Sequence, residues 1–343
     1  MAERTSDADA YAQRQKFVKL FQNFDANTRF PAPYAAFAGK PLTFLADKGW
    51  RYDGLGYFNT AHAEARPASE TLRVFLVGDS TLVDGQVFAD TVPGRLETGL
   101  KRTYGEEARV YNFGAISACL NQMTALITTR LMDLQPDVIL IVGGGTDIFQ
   151  PWSFDPRAGF PFNHFVSECL HDYFFDAARS EAETEALTYD SVQEMIFNRL
   201  ENLRALTNWQ SDIWEWEVVR QFELALKRLA RLAPGIGAPI RFYLQPTVVR
   251  KTERVADEAN AASGTFLAYL DRQYDRFAGV LNRLEVGTDG SFAVRDLSRM
   301  FEDDRRFLFT DIVHVTSEGR QMMADRLQAE VVELLGARAV AAA

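Results

Sequence analysis

The chain reads as an α/β domain: a parallel sheet covered by helices. Between Leu72 and Leu335, short β-rich runs alternate with amphipathic segments, the pattern left by strands joined through helices. Several of these runs are apolar almost throughout, as strands buried on both faces are. Strands are predicted near 72–77 (Leu-Arg-Val-Phe-Leu-Val), 108–113, 137–142, 240–245 and 292–297, the second, third and fourth being continuous enough for double burial. Helices are predicted at 92–104, where Pro93 suits a first turn, and at 119–134, 212–232, 253–284 and 317–336. Pro234-Gly235 is expected to end the third of these.

Two segments fall outside the alternation. Residues 1–70 precede the first strand; within them Tyr11 to Phe24 has helical amphipathicity, while Phe30 to Thr60 is rich in Gly, Pro and aromatic residues without a period. This stretch is expected to be an extension packed on the main domain, 71–338, or a homodimer contact. The second segment, 150–212, is far longer than an ordinary strand-to-helix connection and is expected to be irregular. Its aromatic residues, Trp152, Phe154, Phe160, Phe162, Phe165, Tyr173, Phe174 and Phe175, suit a lid over a pocket and equally a small core of the insertion's own.

Composition narrows the function. A chain of 343 residues with 47% hydrophobic and 12% aromatic residues can bury a substantial core. A net charge of -10 argues against a nucleic-acid partner and against attraction to an anionic membrane. With only Cys119 and Cys169, neither a disulfide framework nor a cysteine-rich zinc site is available. Met1 to Lys16 is polar and no stretch approaches the length of a membrane span, so the expected location is cytoplasmic.

The chemistry is carried by four short blocks. Gly78-Asp79-Ser80-Thr81 follows the first strand, and Asp311-Ile312-Val313-His314 comes late in the chain. Together they supply a serine, a base and a carboxylate, the three groups a serine hydroxyl needs to act as a nucleophile. The tetrapeptide alone also reads as an ordinary turn. Asn112-Phe113-Gly114 follows the second strand and Gly143-Gly144-Gly145-Thr146-Asp147 the third; in a parallel sheet these turns share the edge where ligands bind. Gly114 and Ser80 are candidate backbone donors to an oxyanion, each such donor being worth about 2.7–4 kcal/mol.

These blocks, in this order, resemble the SGNH or GDSL-type serine hydrolases over roughly residues 72 to 335. The resemblance implies a flavodoxin-like three-layer α/β/α domain with strand order 2-1-3-4-5 that acts on acyl esters. It further implies Ser80 as nucleophile, His314 as base and Asp311 as its orienter, without cofactor or metal. Segments 151–156 and 159–163 loosely resemble a branch that modifies bacterial surface glycans, which points to short-chain, O-acetyl-type esters and a small-molecule or glycan substrate. One position departs: where the family has Asn before the third block's Asp, this chain has Thr146. A threonine hydroxyl is a shorter, rotating donor to an oxyanion. Two rival readings keep the same fold, an O-acetyltransferase using the same residues and a binding protein with a weakened site. A phosphate cradle at Gly143-Gly144-Gly145 ranks last, for want of Gly-x-Gly-x-x-Gly spacing after the first strand or a Walker lysine.

Other clusters have plainer readings. His314 is the one histidine with a carboxylate three residues before it and a helix start after it, where Thr316 can cap and Glu318 suits the first turn. His164, Glu168 and His171 would share a helix face, a metal-ligand spacing that an amphipathic helix also produces. Cys119 reads as small apolar packing, Trp209, Trp214 and Trp216 as core or interface, and Glu302 to Arg306 as a solvated loop.

Overall fold

The computed structural model describes residues 29–32, 35–39, 44–45, 50–61, 63, 66–162, 164–175, 189–261, 265–284 and 290–342. Five parallel strands form its sheet: β1 (Leu72–Gly78), β2 (Ala108–Gly114), β3 (Val138–Gly143), β4 (Ile240–Leu244) and β5 (Phe292–Asp296), in the order β2-β1-β3-β4-β5. All residues of β1 and β3 are buried, as central strands covered on both faces must be. β5, at the edge, ends in exposed residues.

The chain steps from β1 to β2 in one direction and then returns past β1 to β3, β4 and β5. Right-handed crossovers therefore place helices on opposite faces. α1 (Val92–Tyr104) packs with the terminal α9 (Ser317–Ala342). α2 (Leu120–Leu126) packs with α6 (Asp212–Ile236), and α6 with α8 (Thr265–Arg283). This is the three-layer arrangement and strand order expected from the sequence. The strand ends are level: Gly78 pairs with Gly114 and Val142, Gly143 with Leu244, and Leu244 with Asp296. Every loop leaving a carboxyl end opens on one rim.

Several boundaries differ from expectation. Pro234-Gly235 does not stop α6, which runs on to Ile236 and closes at Gly237 in the left-handed region; the proline forfeits one rung of the ladder, and burial of Ala233 and Ile236 holds the final turn in place. The segment 119–134 is helical only to Leu126, then passes through a π turn at Ile127–Leu131 and a 3-10 turn at Met132–Leu134. The predicted 253–284 helix is α7 (Ala256–Ala261) and α8. Among its described residues the insertion is mostly helical rather than irregular, with α3 (Gly145–Ser153), α4 (His164–Phe175) and α5 (Tyr189–Leu206). Phe165, Val166, Cys169, Val192, Ile196, Leu200 and Leu203 give α4 and α5 a small core of their own. Trp152 stacks on Tyr269 at 4.5 Å, beside Trp209 and Trp214.

Of the first 70 residues, Tyr11 to Phe24 lies outside the described residues. Two small hairpins, Arg29–Ala32 with Ala36–Gly39 and Phe44–Leu45 with Trp50–Arg51, precede the main sheet. Asn59 fastens this part to β2: its side chain accepts from the Asn112 N–H at 2.7 Å and donates to the Asn112 carbonyl at 3.0 Å.

Asp147, in the first turn of α3, holds the start of α2 by accepting the Leu120 N–H on both carboxylate oxygens at 3.1 Å. Burial pushes its pKa up to about 7; the Leu120 N–H opposes the shift and the Asp79 charge adds to it. Folded Asp147 thus keeps a proton that an unfolded aspartate loses near pH 4, so stability falls as pH rises from roughly 4 to about 7. Asp147→Asn should flatten that decline. Urea melts at pH 5 and pH 8 check this: an Asn variant that loses as much stability between them as the wild type would count against it.

Candidate active site

Ser80 stands where β1 runs out. At Gly78 an added Cβ would come within 2.5 Å of the Val142 carbonyl oxygen, so glycine is what allows the strand to close this tightly against β3. Asp79 then caps a single 3-10 turn, Ser80–Leu82, accepting from the Thr81 N–H at 3.0 Å. Ser80 opens that turn at the rim, partly exposed.

His314 arrives from the other end of the chain. Phe309 and Val315 form an antiparallel bridge, and Thr310 N–H donates to the His314 carbonyl at 2.9 Å, closing a tight loop. Inside it Asp311 Oδ1 accepts from the N–H groups of Val313 and His314 at 2.9 and 2.8 Å. Its Oδ2 meets His314 Nδ1 at 2.6 Å, and His314 Nε2 meets Ser80 Oγ at 2.8 Å. An ionised carboxylate only accepts, so Nδ1 carries the ring proton and Nε2 presents a lone pair to the serine hydroxyl. Three side chains separated by 234 residues of sequence thus form one hydrogen-bonded line.

Burial works against an imidazolium at His314. The hydrogen bond and charge of Asp311, with Asp79 and Asp84 behind, outweigh it and raise the histidine pKa above its ordinary value. Burial likewise disfavours the Asp311 carboxylate, but the His314 side chain and the two loop N–H groups hold its pKa below the usual range.

The loop carrying His314 is anchored by Thr316, as expected, and by buried groups that the sequence motifs do not include. Glu258 and Lys251, both fully buried, pair at 2.5 Å. Glu258 also accepts from the N–H groups of Leu308 and Phe309 at 2.9 and 3.1 Å. Lys251 donates as well to the Arg306 carbonyl. Thr247 Oγ1 and Val248 N–H each donate to the Ile312 carbonyl at 3.0 Å. Thr316 accepts from the Gly319 N–H at 3.3 Å, capping α9. A charge buried at this depth is tolerable only when paired and fully hydrogen-bonded, so its partners are held in place with it.

The three expected oxyanion donors are placed differently from one another. The Ser80 N–H makes no hydrogen bond among the described residues. The Gly114 N–H donates to Asn112 Oδ1 at 2.8 Å. Thr146 is fully buried and its hydroxyl donates to Asp79 Oδ2 at 2.8 Å, so its one proton points at a carboxylate rather than toward Ser80. Asp79, itself fully buried, also accepts from the Thr81 hydroxyl at 2.9 Å.

The remaining candidates are engaged elsewhere. Glu168 takes Arg157 at 2.9 Å and Arg199 at 3.0 Å, with His164 at 3.7 Å, and no group of three metal-ligating side chains occurs among the described residues. Cys119 is buried, and burial with the Asp147 charge pushes its pKa up to about 12, which leaves a neutral thiol. Trp214 is buried and donates to the Pro156 carbonyl, whereas Trp216 is half exposed under Arg276. No helix among the described residues is long and apolar enough to cross a membrane.

No protein-family model matches the chain, and no curated protein sequence matches it. Solved structures do overlap with it. An α/β hydrolase enzyme from the metagenome of Lake Arreo, Spain, shares 14% identity over 75% of this chain and 93% of its own, with a TM-score of 0.43. An acetyl xylan esterase shares 12% over 76% and 100%, also at 0.43. A GDSL-like lipase from Bacteroides thetaiotaomicron shares 10% over 78% and 92%, at 0.39. At this depth of divergence the overlap carries no weight for activity; the chemistry has to be read from Ser80, His314 and Asp311 themselves.

Proposed function

We propose that the protein is a serine hydrolase of the SGNH or GDSL type that cleaves acyl esters through a covalent acyl-enzyme. The observation that carries the proposal is the line Ser80 Oγ, His314 Nε2, Asp311 Oδ2, with contacts of 2.8 and 2.6 Å. His314 takes the Ser80 proton as Oγ attacks the ester carbonyl, and Asp311 holds the imidazole tautomer and steadies the imidazolium. The tetrahedral oxyanion is held by the Ser80 N–H and by the Gly114 N–H, the latter shared with Asn112 Oδ1. His314 then returns the proton to the leaving alcohol, and a water activated by the same imidazole releases the acid. The substrate is a short-chain, O-acetyl-type ester on a small molecule or a glycan, and the reaction needs no metal or organic cofactor. Transfer of the acyl group to a sugar hydroxyl would use the same residues and differ only in what intercepts the acyl-enzyme.

Fluorophosphonate should label the protein at Ser80 and at no other residue. Ser80→Ala and His314→Ala should each lower turnover of a short-chain aryl ester by about a million-fold, and the double variant should be no worse, because nucleophile and base act as a unit. Labelling that persists in Ser80→Ala, mapped to another residue, would overturn the assignment.

The pH dependence has a definite direction. The base works only when neutral and its pKa is raised, so the hydrolysis rate should climb through a midpoint above about 6.5. In Asp311→Asn the lost anion should bring that midpoint down, and kcat should fall by about ten-thousand-fold as the ring loses its tautomer. A profile flat from acid to neutral pH would remove His314 from the role of base.

A further inference from the structure

The Ser80 and His314 loops are joined by a second device that takes no part in the line of catalytic atoms. Arg320, in the first turn of α9, is 8% exposed. Its Nη1 donates to the Val315 carbonyl at 2.8 Å, on the residue next to His314, and to Asp84 Oδ2 at 2.9 Å, in the loop that follows Ser80. Its Nε donates to the Asp90 carbonyl and its Nη2 to Asp90 Oδ2, both at 2.8 Å. One planar guanidinium therefore holds the base loop on one side and the nucleophile loop at two points on the other. Arg95, from α1, repeats the span further out: Nη2 reaches Asp90 Oδ1 at 2.5 Å and Ser317 Oγ, while Nη1 reaches Gln321 Oε1 at 2.8 Å.

We infer that Arg320 is a positioning residue for the reaction proposed above, fixing the separation of Ser80 Oγ from His314 Nε2 by clamping their two loops together. A fork of donors in fixed geometry suits this task, because it defines the relative orientation of all its acceptors at once, which a lysine ammonium cannot do. Misplacement of a reacting pair by about 1 Å can cost on the order of a hundredfold in rate. The clamp also has an electrostatic side. His314 is faced by Asp311 on its own loop and by Asp79 and Asp84 on the nucleophile loop. From α9 comes Arg320, which pairs directly with Asp84. From the segment after β4 the Thr247 hydroxyl and Val248 N–H meet the Ile312 carbonyl, while the Lys251 cation is paired with Glu258. Removing the Arg320 cation leaves Asp84 uncompensated, and its charge then favours the imidazolium.

The inference rests on the hydrolase reading, and its test separates the two. The His314 titration is followed by NMR in the wild type, Arg320→Met, Arg320→Lys, Asp84→Asn and the Arg320→Met/Asp84→Asn pair, alongside kcat, KM and the rate of fluorophosphonate labelling. Arg320→Met should lower kcat and the labelling rate by about tenfold to a hundredfold with KM little changed, and should raise the His314 pKa. Arg320→Lys should keep the pKa near that of the wild type yet recover only part of the rate. The paired variant should bring the pKa back down while the rate stays low. A His314 pKa unmoved in Arg320→Met, or a kcat equal to that of the wild type, would overturn the clamp. Failure of wild-type labelling at Ser80 would instead strike the hydrolase reading, and the NMR titration, which needs no turnover, would still decide whether Arg320 governs the histidine.

Discussion

The contact between His314 Nε2 and Ser80 Oγ, 2.8 Å across 234 residues of chain, is the constraint that organises this molecule. It needs two loops from opposite ends of the domain to meet with a tolerance of tenths of an ångström. Local sequence cannot supply that tolerance; a rigid frame can. The frame is the parallel sheet, whose pairing puts Gly78, Gly114 and Gly143 at one level, so that each following turn opens on the same rim. Because β1 and β3 are buried along their whole length, a slip of register would force each side chain into a space packed for another.

The rim is made rigid with buried charge. Asp79 gathers the Thr81 N–H, the Thr81 hydroxyl and the Thr146 hydroxyl, tying the Ser80 turn to the start of α3. Glu258 gathers Lys251 and the N–H groups of Val255, Leu308 and Phe309, tying the His314 loop to the segment after β4. Arg320 then ties the two loops to each other. An apolar side chain can slide against its neighbours with little loss, whereas a buried ion that slips loses hydrogen bonds it cannot replace with water. Buried charge is thus a weak source of net stability and a strong source of unique geometry, and a site with two distant halves has more use for the second.

Legibility in the sequence followed the range of the interaction. The strands could be read because alternation of apolar and helical runs is local, and Asp311 with His314 could be read because three residues separate them. The rim position of Ser80 followed from parallel strands alone. Asp79 was hidden inside a tetrapeptide that looks like any turn, and its value as a buried carboxylate appears only with Thr146 beside it. Glu258 and Arg320 were not legible because the contacts that make them ties between loops, Leu308 for Glu258 and Asp84 for Arg320, lie 50 and 236 residues away, and ordinary amphipathic helices carry such residues at every turn. Pro234 misled in the opposite sense: its local preference is real, but in a final turn packed on the sheet it was overridden.

Thr146 shows how one side chain sets the division of labour at a site. An asparagine amide has two N–H donors and can bind a buried acceptor while keeping a proton for a developing oxyanion; a threonine hydroxyl has one. In this chain that proton is given to Asp79 at 2.8 Å and is not free for a substrate oxygen. Stabilisation of a tetrahedral intermediate would therefore fall to backbone N–H groups alone, with that of Gly114 already shared with Asn112. Each donor removed from such a site costs about 2.7–4 kcal/mol of barrier. That loss bears on the acyl-enzyme's formation and its breakdown alike, since both pass through an oxyanion in the same place.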